Sequence, residues 1–322
     1  MKVLILHSDI APDAPPEDQD TLIAADAVAE ALSARDYHVL QAPFFPTGLR
    51  ALVTAEKPDV VFNLVEGIDG KGRLAHLAPR LLEQIGVPYT GTGPDALIVT
   101  SDKPRSKRLM RDIGLPTPDW SEPPLWDDLG EGRWIVKSTD EDASLGLDDG
   151  AVVEAANVRA RAEACATRYG GCWFAERYVE GREFNITVIE RSGAPQVLAM
   201  AEMLFESWPV DRPRIVGYDA KWDEGSTQSL STVRQFGVEQ REPTLARALS
   251  HFCQEAWYLF QCRGAARVDF RIASDGQPVI LEINPNPGIA PDAGIVAAAL
   301  QSGLSYGDLI EGLVQEALRI KT

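Results

Sequence analysis

The sequence predicts a mixed α/β protein of two or three lobes, the first of them built on a parallel sheet. Three observations carry this. Its 322 residues exceed the span of one ordinary domain. The first hundred residues alternate apolar, strand-like runs with stretches of helical spacing, the pattern of strands joined by crossover helices. Later segments alternate polar and apolar side chains around tight-turn residues, the mark of antiparallel strands.

In chain order, Val3–Leu6, Val39–Gln41 and Val60–Leu64 read as buried strands, with helices over Thr21–Arg35 and Leu74–Ile85, a Rossmann-like arrangement. The first strand runs into His7-Ser8-Asp9 and the Pro-rich, acidic stretch Pro12–Asp20. A dinucleotide-binding lobe places glycines and a helix N-terminus there, and carboxylates would repel a pyrophosphate, which excludes a dehydrogenase. After Pro88-Tyr89-Thr90-Gly91 a helix is expected over Pro94–Ile113, ended by Gly114 with Pro116 and Pro118 beyond it. Arg133–Lys137 reads as a strand, Ser138–Gly150 as a polar loop, Ala155–Tyr169 as a helix and Trp173–Tyr178 as a strand. Phe184–Glu190 and Gln196–Met203 read as two antiparallel neighbours across a turn at Gly193. The expected lobes are residues 1–98, 99–177 and 178–322, with no internal repeat.

The composition narrows the function classes. A hydrophobic fraction of 45% and a charged fraction of 25% belong to a soluble globular chain, with no apolar tract of membrane-spanning length. Met1-Lys2-Val3-Leu4-Ile5-Leu6 is too short for the apolar core of a signal peptide. Cys165, Cys172, Cys253 and Cys262 contain no C-x-x-C pair, so buried thiols in a cytoplasmic protein are expected, without zinc or disulfides. With 48 acidic against 31 basic side chains the net charge is −17, which argues against nucleic acid and anionic membranes as partners. An anionic ligand would then depend on a few basic groups gathered by folding.

The most informative stretch is Arg267–Ile272 followed by Val279–Asn284, two alternating strands around Asp275-Gly276, a strong hairpin-turn signal. A two-residue loop with Ser274 facing Gln277 sets Asp269 opposite Glu282 and Arg267 opposite Asn284. Opposed carboxylates, their β-carbons about 5 Å apart, destabilise a sheet unless a cation lies between them. Asp269, Glu282 and Asn284 offer the hard oxygen ligands that magnesium takes, with phosphate and water completing its shell. Arg267, one pair further on, is suited to a phosphate or developing oxyanion. The alternative is a solvated strand face whose acids pair with Arg267 and Arg271. Asn284-Pro285-Asn286-Pro287-Gly288 then breaks the strand.

Leu281–Gly288, the preceding Gly264–Phe270, Val61–Gly67 and Pro88–Gly91 together closely resemble D-alanine:D-alanine ligase and its ATP-grasp relatives. The likeness runs in family order to the C-terminus. It implies a Rossmann-like N-terminal lobe followed by a two-lobed ATP-grasp fold, and an ADP-forming ligase that joins a small carboxylate to an amine through an acyl phosphate. It also implies ATP with one or two magnesium ions, for which manganese can stand in, and a homodimer as a common state of relatives. Carried over by position, Lys103 and Lys137 match lysines that contact ATP phosphate, and Lys221 matches one on the loop covering the phosphates. Glu176 falls at the adenine end, Tyr178 and Val179 follow with backbone groups for the base, and Glu183 matches the carboxylate on the ribose. Ser144 and Gly146 keep their places in a flexible phosphate cover, Ser138–Gly150, whose acids Asp140, Glu141 and Asp142 should point outward. Asp269, Glu282 and Asn284 match the metal ligands, and Arg267 the arginine that stabilises the tetrahedral intermediate.

The substrate half departs from the family. Where D-alanine:D-alanine ligases carry a serine in the cover loop and a tyrosine after the loop lysine, this chain has Ala143 and Trp222, and after Gly288 it has Pro291-Asp292-Ala293-Gly294 in place of a serine-bearing segment. The first loop lacks the family's glycine-rich motif, leaving Glu17 or Asp20 to reach the site. The expectation is therefore a ligase for substrates other than two D-alanines. A true D-alanine:D-alanine ligase, a phosphotransferase on the same scaffold and a nucleotide-binding protein without catalysis stand as alternatives.

Overall fold

The computed structural model of the chain describes residues 1–11, 13–14, 16–141, 144–209, 211–218, 223 and 225–319. Strands β1 (Lys2–His7), β2 (His38–Pro43) and β3 (Val60–Leu64) form a parallel sheet in the order β2-β1-β3, extended by a parallel bridge from Val61 to Tyr89. β1 and β3 are apolar on both faces because both faces are covered. Leu4, Leu6 and Val61 pack against helices α2 (Leu49–Glu56) and α3 (Leu77–Ile85). Val3, Ile5, Val60 and Phe62 pack against α1 (Pro16–Ser33) and the two last helices, Gly294–Gln301 and Tyr306–Arg319. The end of the chain thus closes the core of its beginning, and Arg35 pins it there through Asp308 and Glu311.

The expected single helix over Pro94–Ile113 is two helices, α4 (Pro94–Ser101) and α5 (Lys103–Asp112). Asp102 breaks it: its backbone is extended (φ −87°, ψ 92°) and its carboxylate accepts the Arg105 N–H at 3.0 Å. Pro104 lacks the N–H that a continuous helix would use. The break sets Lys103 at the start of α5, while Met110 at the other end enters the core below the largest sheet.

Strands β4 (Trp120–Ser121), β5 (Arg133–Ser138), β6 (Val152–Glu154) and β7 (Trp173–Arg177) form an antiparallel sheet in the order β4-β7-β5-β6. It is covered by α6 (Val158–Tyr169), whose Ala162 and Cys165 pack with Trp134, Val136 and Trp173. The largest sheet contains β8 (Arg182–Arg191), β9 (Ala194–Val197), β10 (Ala201–Phe205), β11 (Thr232–Gln235), β12 (Ala265–Ile272) and β13 (Pro278–Asn284). Its order is β11-β10-β8-β12-β13, with β9 paired to β8. The strand expected over Gln196–Met203 is therefore two, β9 and β10, both antiparallel to β8 and separated at Leu198–Met200. Ser192 and Gly193 turn β8 into β9 with φ of 55° and 78°, as a two-residue hairpin requires. On the buried face, Phe184, Ile186, Val268, Phe270 and Ile280 pack on Leu249, Cys253 and Ala256 of the helix Pro243–Leu259. Of the four thiols three are buried, and Cys172 is exposed, against expectation, since it follows the turn Gly170-Gly171 before β7 faces the core.

The β12–β13 hairpin has the expected pairs, Asp269 with Glu282 and Arg267 with Asn284, but not the expected turn. Ala273, not Ser274, faces Gln277, so the loop is the three residues Ser274–Gly276, with Gly276 at φ +81°. That slip is cancelled by a bulge: Phe270 pairs with Ile280, Asp269 with Glu282, and Leu281 is the extra residue. The two deviations offset each other, which restores the register before it reaches the polar end of the hairpin.

Gly181 leads into β8 at φ +156°, and a Cβ there would stand 1.9 Å from the Ile272 carbonyl oxygen. Gly181→Ala is expected to lower stability by about 2 kcal/mol or more, read as a reduced melting temperature. A variant melting with the wild type would contradict this close approach. No described helix is long and apolar enough to cross a membrane.

Candidate active site

Strand alternation builds one polar face on the largest sheet. Glu183, Asn185 and Thr187 of β8 stand beside Arg271, Asp269 and Arg267 of β12, and the last two of these beside Glu282 and Asn284 of β13. All eight line a cleft of about 1180 Å³ that also takes in Lys103, Lys137, Ser144, Glu176, Tyr178 and Val179. The sequence-based candidates that are described therefore converge on one cavity, except Gly146. Asn185 and Thr187 escaped the sequence reading, although strict alternation along β8 would have placed them.

The acids of this face are engaged. Arg267 holds Asp269 with two parallel hydrogen bonds, Nε to Oδ1 and Nη2 to Oδ2, both 2.8 Å. Arg271 pairs with Glu183 at 2.6 Å and donates to the carbonyls of Gly181 and Arg214, with Tyr178 and Phe205 rings beside it. Both pairings to Arg267 and Arg271 belong to the solvated-face alternative, yet Asp269 and Glu183 are only 7% exposed and lie on the floor of a cleft. Asn284 Oδ1 accepts the Asn286 N–H at 2.9 Å and keeps a second lone pair.

Asp269, Glu282 and Asn284 form an all-oxygen donor set suited to a hard divalent cation. Among the described residues no three His, Cys, Asp or Glu side chains form a metal-binding group, so such an ion would need ligands from its own substrate. The Arg267 guanidinium supplies positive charge to both Asp269 oxygens.

The second element is a buried charge cluster. Lys137, on β5, meets Glu176 Oε1 of β7 at 2.6 Å, and Lys107, on α5, meets Glu176 Oε2 at 2.6 Å. Glu176 thus meets one ammonium on each of its two oxygens. Burial alone would raise the Glu176 carboxyl, but Lys107 and Lys137 outweigh it and hold it below the usual range. Burial would lower Lys137, but Glu176 and Glu282 raise it, whereas burial wins at Lys107 and lowers it. Glu176, expected at the adenine end, also bridges two lysines, and nothing in the spacing of Lys107 from Glu176 announced that contact.

Lys103 is buried and donates to the Glu141 carbonyl at 2.9 Å. Glu141 does not point outward as expected: its Oε2 accepts the Gly72 N–H at 2.9 Å, at the start of the short helical turn Gly72–Leu74, whose first amide has no partner within the turn. Ser144 donates to the Val216 carbonyl at 3.3 Å. Gly146 has φ +69°, and a Cβ there would lie 2.6 Å from the Trp173 ring, so this glycine answers to packing and does not line the cleft. Asp142, Ala143, Lys221 and Trp222 lie outside the described residues.

At the far end of the cleft, Ser8 Oγ donates to the Gly67 carbonyl and accepts the Glu66 and Gly67 N–H groups, tying the first loop to the second. Asn286 Nδ2 donates to the Val65 carbonyl at 3.4 Å, which joins the Val61–Gly67 and Leu281–Gly288 motifs. Asp20 reaches this region, 3.8 Å from where Gly288 would carry a Cβ. Burial, then Asp292, pushes its carboxyl upward. The side chain of Glu17 lies outside the described residues.

The cleft thus joins a floor of paired acids and arginines to a wall of buried lysines. The family model described as D-ala D-ala ligase C-terminus matches residues 133–315. The chain is 31% identical to the D-alanine–D-alanine ligase of Chromohalobacter salexigens over 82% of this chain and 78% of that one. It is 37% identical to an uncharacterized protein of Sinorhizobium fredii over 82% of this chain and 76% of that one. Its fold matches the structure of Bacillus anthracis D-alanine–D-alanine ligase complexed with ATP at a TM-score of 0.78, with 19% identity and coverage of 100% and 98%. The chain belongs to the D-alanine–D-alanine ligase family, whose members are ADP-forming ATP-grasp ligases that make a C–N bond.

Proposed function

We propose that this protein activates a small carboxylate with ATP and passes it to an amine, and that the two substrates are not both D-alanine. The observation that carries the reading is the pair Asp269–Glu282 on the cleft floor, facing the lysine-bearing wall. Asp269, Glu282 and Asn284 would hold magnesium, which when bound would supply positive charge to the terminal phosphates. Lys103 and Lys137 supply local positive charge that a chain of net charge −17 otherwise lacks. Glu183, fixed by Arg271, accepts from the ribose, and backbone groups at Tyr178 and Val179 meet the base.

The substrate carboxylate oxygen attacks the γ-phosphorus as the β–γ bridging P–O bond breaks and ADP departs. The amine nitrogen then attacks the acyl carbon. The C–O bond to phosphate breaks, phosphate leaves, and the nitrogen gives up a proton. Arg267 and backbone amides near Gly288 stabilise the oxyanion.

The substrate half supports a different pair of ligands. Asp292 and Arg234 line the cleft beyond Gly288, Arg234 donating to the Asp292 carbonyl at 3.0 Å, and Asp20 lies near enough to Asp292 for their charges to interact. Two acids and a guanidinium there favour an acceptor with charged groups of both signs over one read by a hydroxyl.

Amino acids and dipeptides screened in pairs for magnesium-dependent ADP release should give a response that requires the amine partner, and D-alanine alone should give none of note. A brisk response to D-alanine alone would overturn the substrate assignment. ADP release indifferent to every amine would instead favour a phosphotransferase.

A further inference from the structure

Lys107 lies outside the cleft, 1% exposed, and its ammonium has three neighbours: Thr117 Oγ1 at 2.9 Å, the Leu281 carbonyl at 3.2 Å and Glu176 Oε2 at 2.6 Å. A buried ammonium with no other task is costly to keep. Its position explains it. Lys137 lines the cleft, yet its ammonium is held by Glu176 at 2.6 Å. Were Glu176 and Lys137 alone, they would form a neutral pair in a medium of low dielectric, and turning Lys137 toward a phosphate would strand a buried carboxylate.

We propose that Lys107 is a positioning residue: as the second counter-charge on Glu176, it leaves Lys137 free to direct its ammonium to the nucleotide phosphate. Resting on the nucleotide-binding reading above, this assigns a task to a buried residue outside the cleft lining. The cluster of Lys107, Lys137 and Glu176 carries one net positive charge, and that charge is what the phosphate meets. Lys107 also grips the Leu281 carbonyl, the bulge residue next to Glu282, so that one side chain ties the lysine wall to the acidic floor.

The test is calorimetric titration of the full chain with magnesium and a non-hydrolysable ATP analogue, with melting curves to verify folding. Lys107→Met should weaken uptake by about 10–100-fold, the usual cost of losing an outer partner of a binding group. Lys107→Arg keeps the second counter-charge on Glu176 and should bind within about threefold of the wild type. A merely structural role, served by the length of the side chain alone, predicts that folded Lys107→Met binds as the wild type does. Folded Lys107→Met that binds like the wild type, or folded Lys107→Arg that binds as weakly as Lys107→Met, overturns the proposal. Should Lys107→Met fail to fold, Lys107→Arg decides alone, and its failure to bind or to fold counts against the proposal. Wild-type protein that takes up no nucleotide would overturn the functional reading as well, which separates the two.

Discussion

Asp269→Asn and Glu282→Gln are each expected to reduce ATP-dependent turnover by at least about a thousandfold, roughly 4 kcal/mol of transition-state stabilisation, while the fold persists. The reasoning is electrostatic. Two carboxylates on directly opposite positions of an antiparallel pair repel unless a cation joins them. In the described structure Arg267 supplies that charge to Asp269, through a side chain about a quarter exposed and able to move aside. An amide at either position keeps size and hydrogen bonding but removes the negative charge that a divalent ion and its phosphates need. Neither substitution touches the core beneath, where Val268, Phe270, Ile280 and Ile283 face the helix Pro243–Leu259. Steady-state ADP release with melting curves checks this. Wild-type rates in either variant would contradict the metal assignment.

Glu176→Ala should have the largest effect on stability, a loss of about 3–5 kcal/mol, the usual result of breaking a buried ion pair from one side. Two lysines, Lys107 and Lys137, would share a buried site without their counter-charge. Denaturant unfolding measures the loss. The pH dependence carries a sign. Glu176 is held below its ordinary value of 4.5 in the folded protein by Lys107 and Lys137, against the pull of burial. Its stabilisation is therefore fully present above pH 4.5 and fades as pH falls through the lowered folded value. The gap in stability between wild type and Glu176→Gln should be widest near neutrality and close in acid. A gap that is constant with pH, or that widens in acid, would show that Glu176 is not ionised and paired as described.

These effects rest on features of unequal visibility in the sequence. The parallel first sheet could be read because Val3–Leu6 and Val60–Leu64 are apolar on both faces, which only doubly covered strands are. The partners of Asp269 and Arg267 could be read from alternation and a turn signal, although the turn is one residue longer than expected and the bulge at Leu281 cancels the error. A bulge depends on what lies against the strand, here Lys107 on the Leu281 carbonyl and Thr117 on that of Ile280, and periodicity carries no trace of such neighbours. The break at Asp102 was written in Ser101-Asp102-Lys103-Pro104, a cap residue followed by proline, but the helical pattern on either side masked it. Glu141 shows the same limit from another side: its partner is the backbone amide of Gly72, and backbone partners leave no signature in side-chain pattern.

Nucleotide uptake measured by calorimetry with magnesium present and with it chelated tests the central claim most directly, in the wild type and in the double variant Asp269→Asn, Glu282→Gln. The expected result is tight, metal-dependent binding of ATP by the wild type and loss of that metal dependence in the double variant. Equal binding of ATP by both proteins, with or without the metal, would contradict the account.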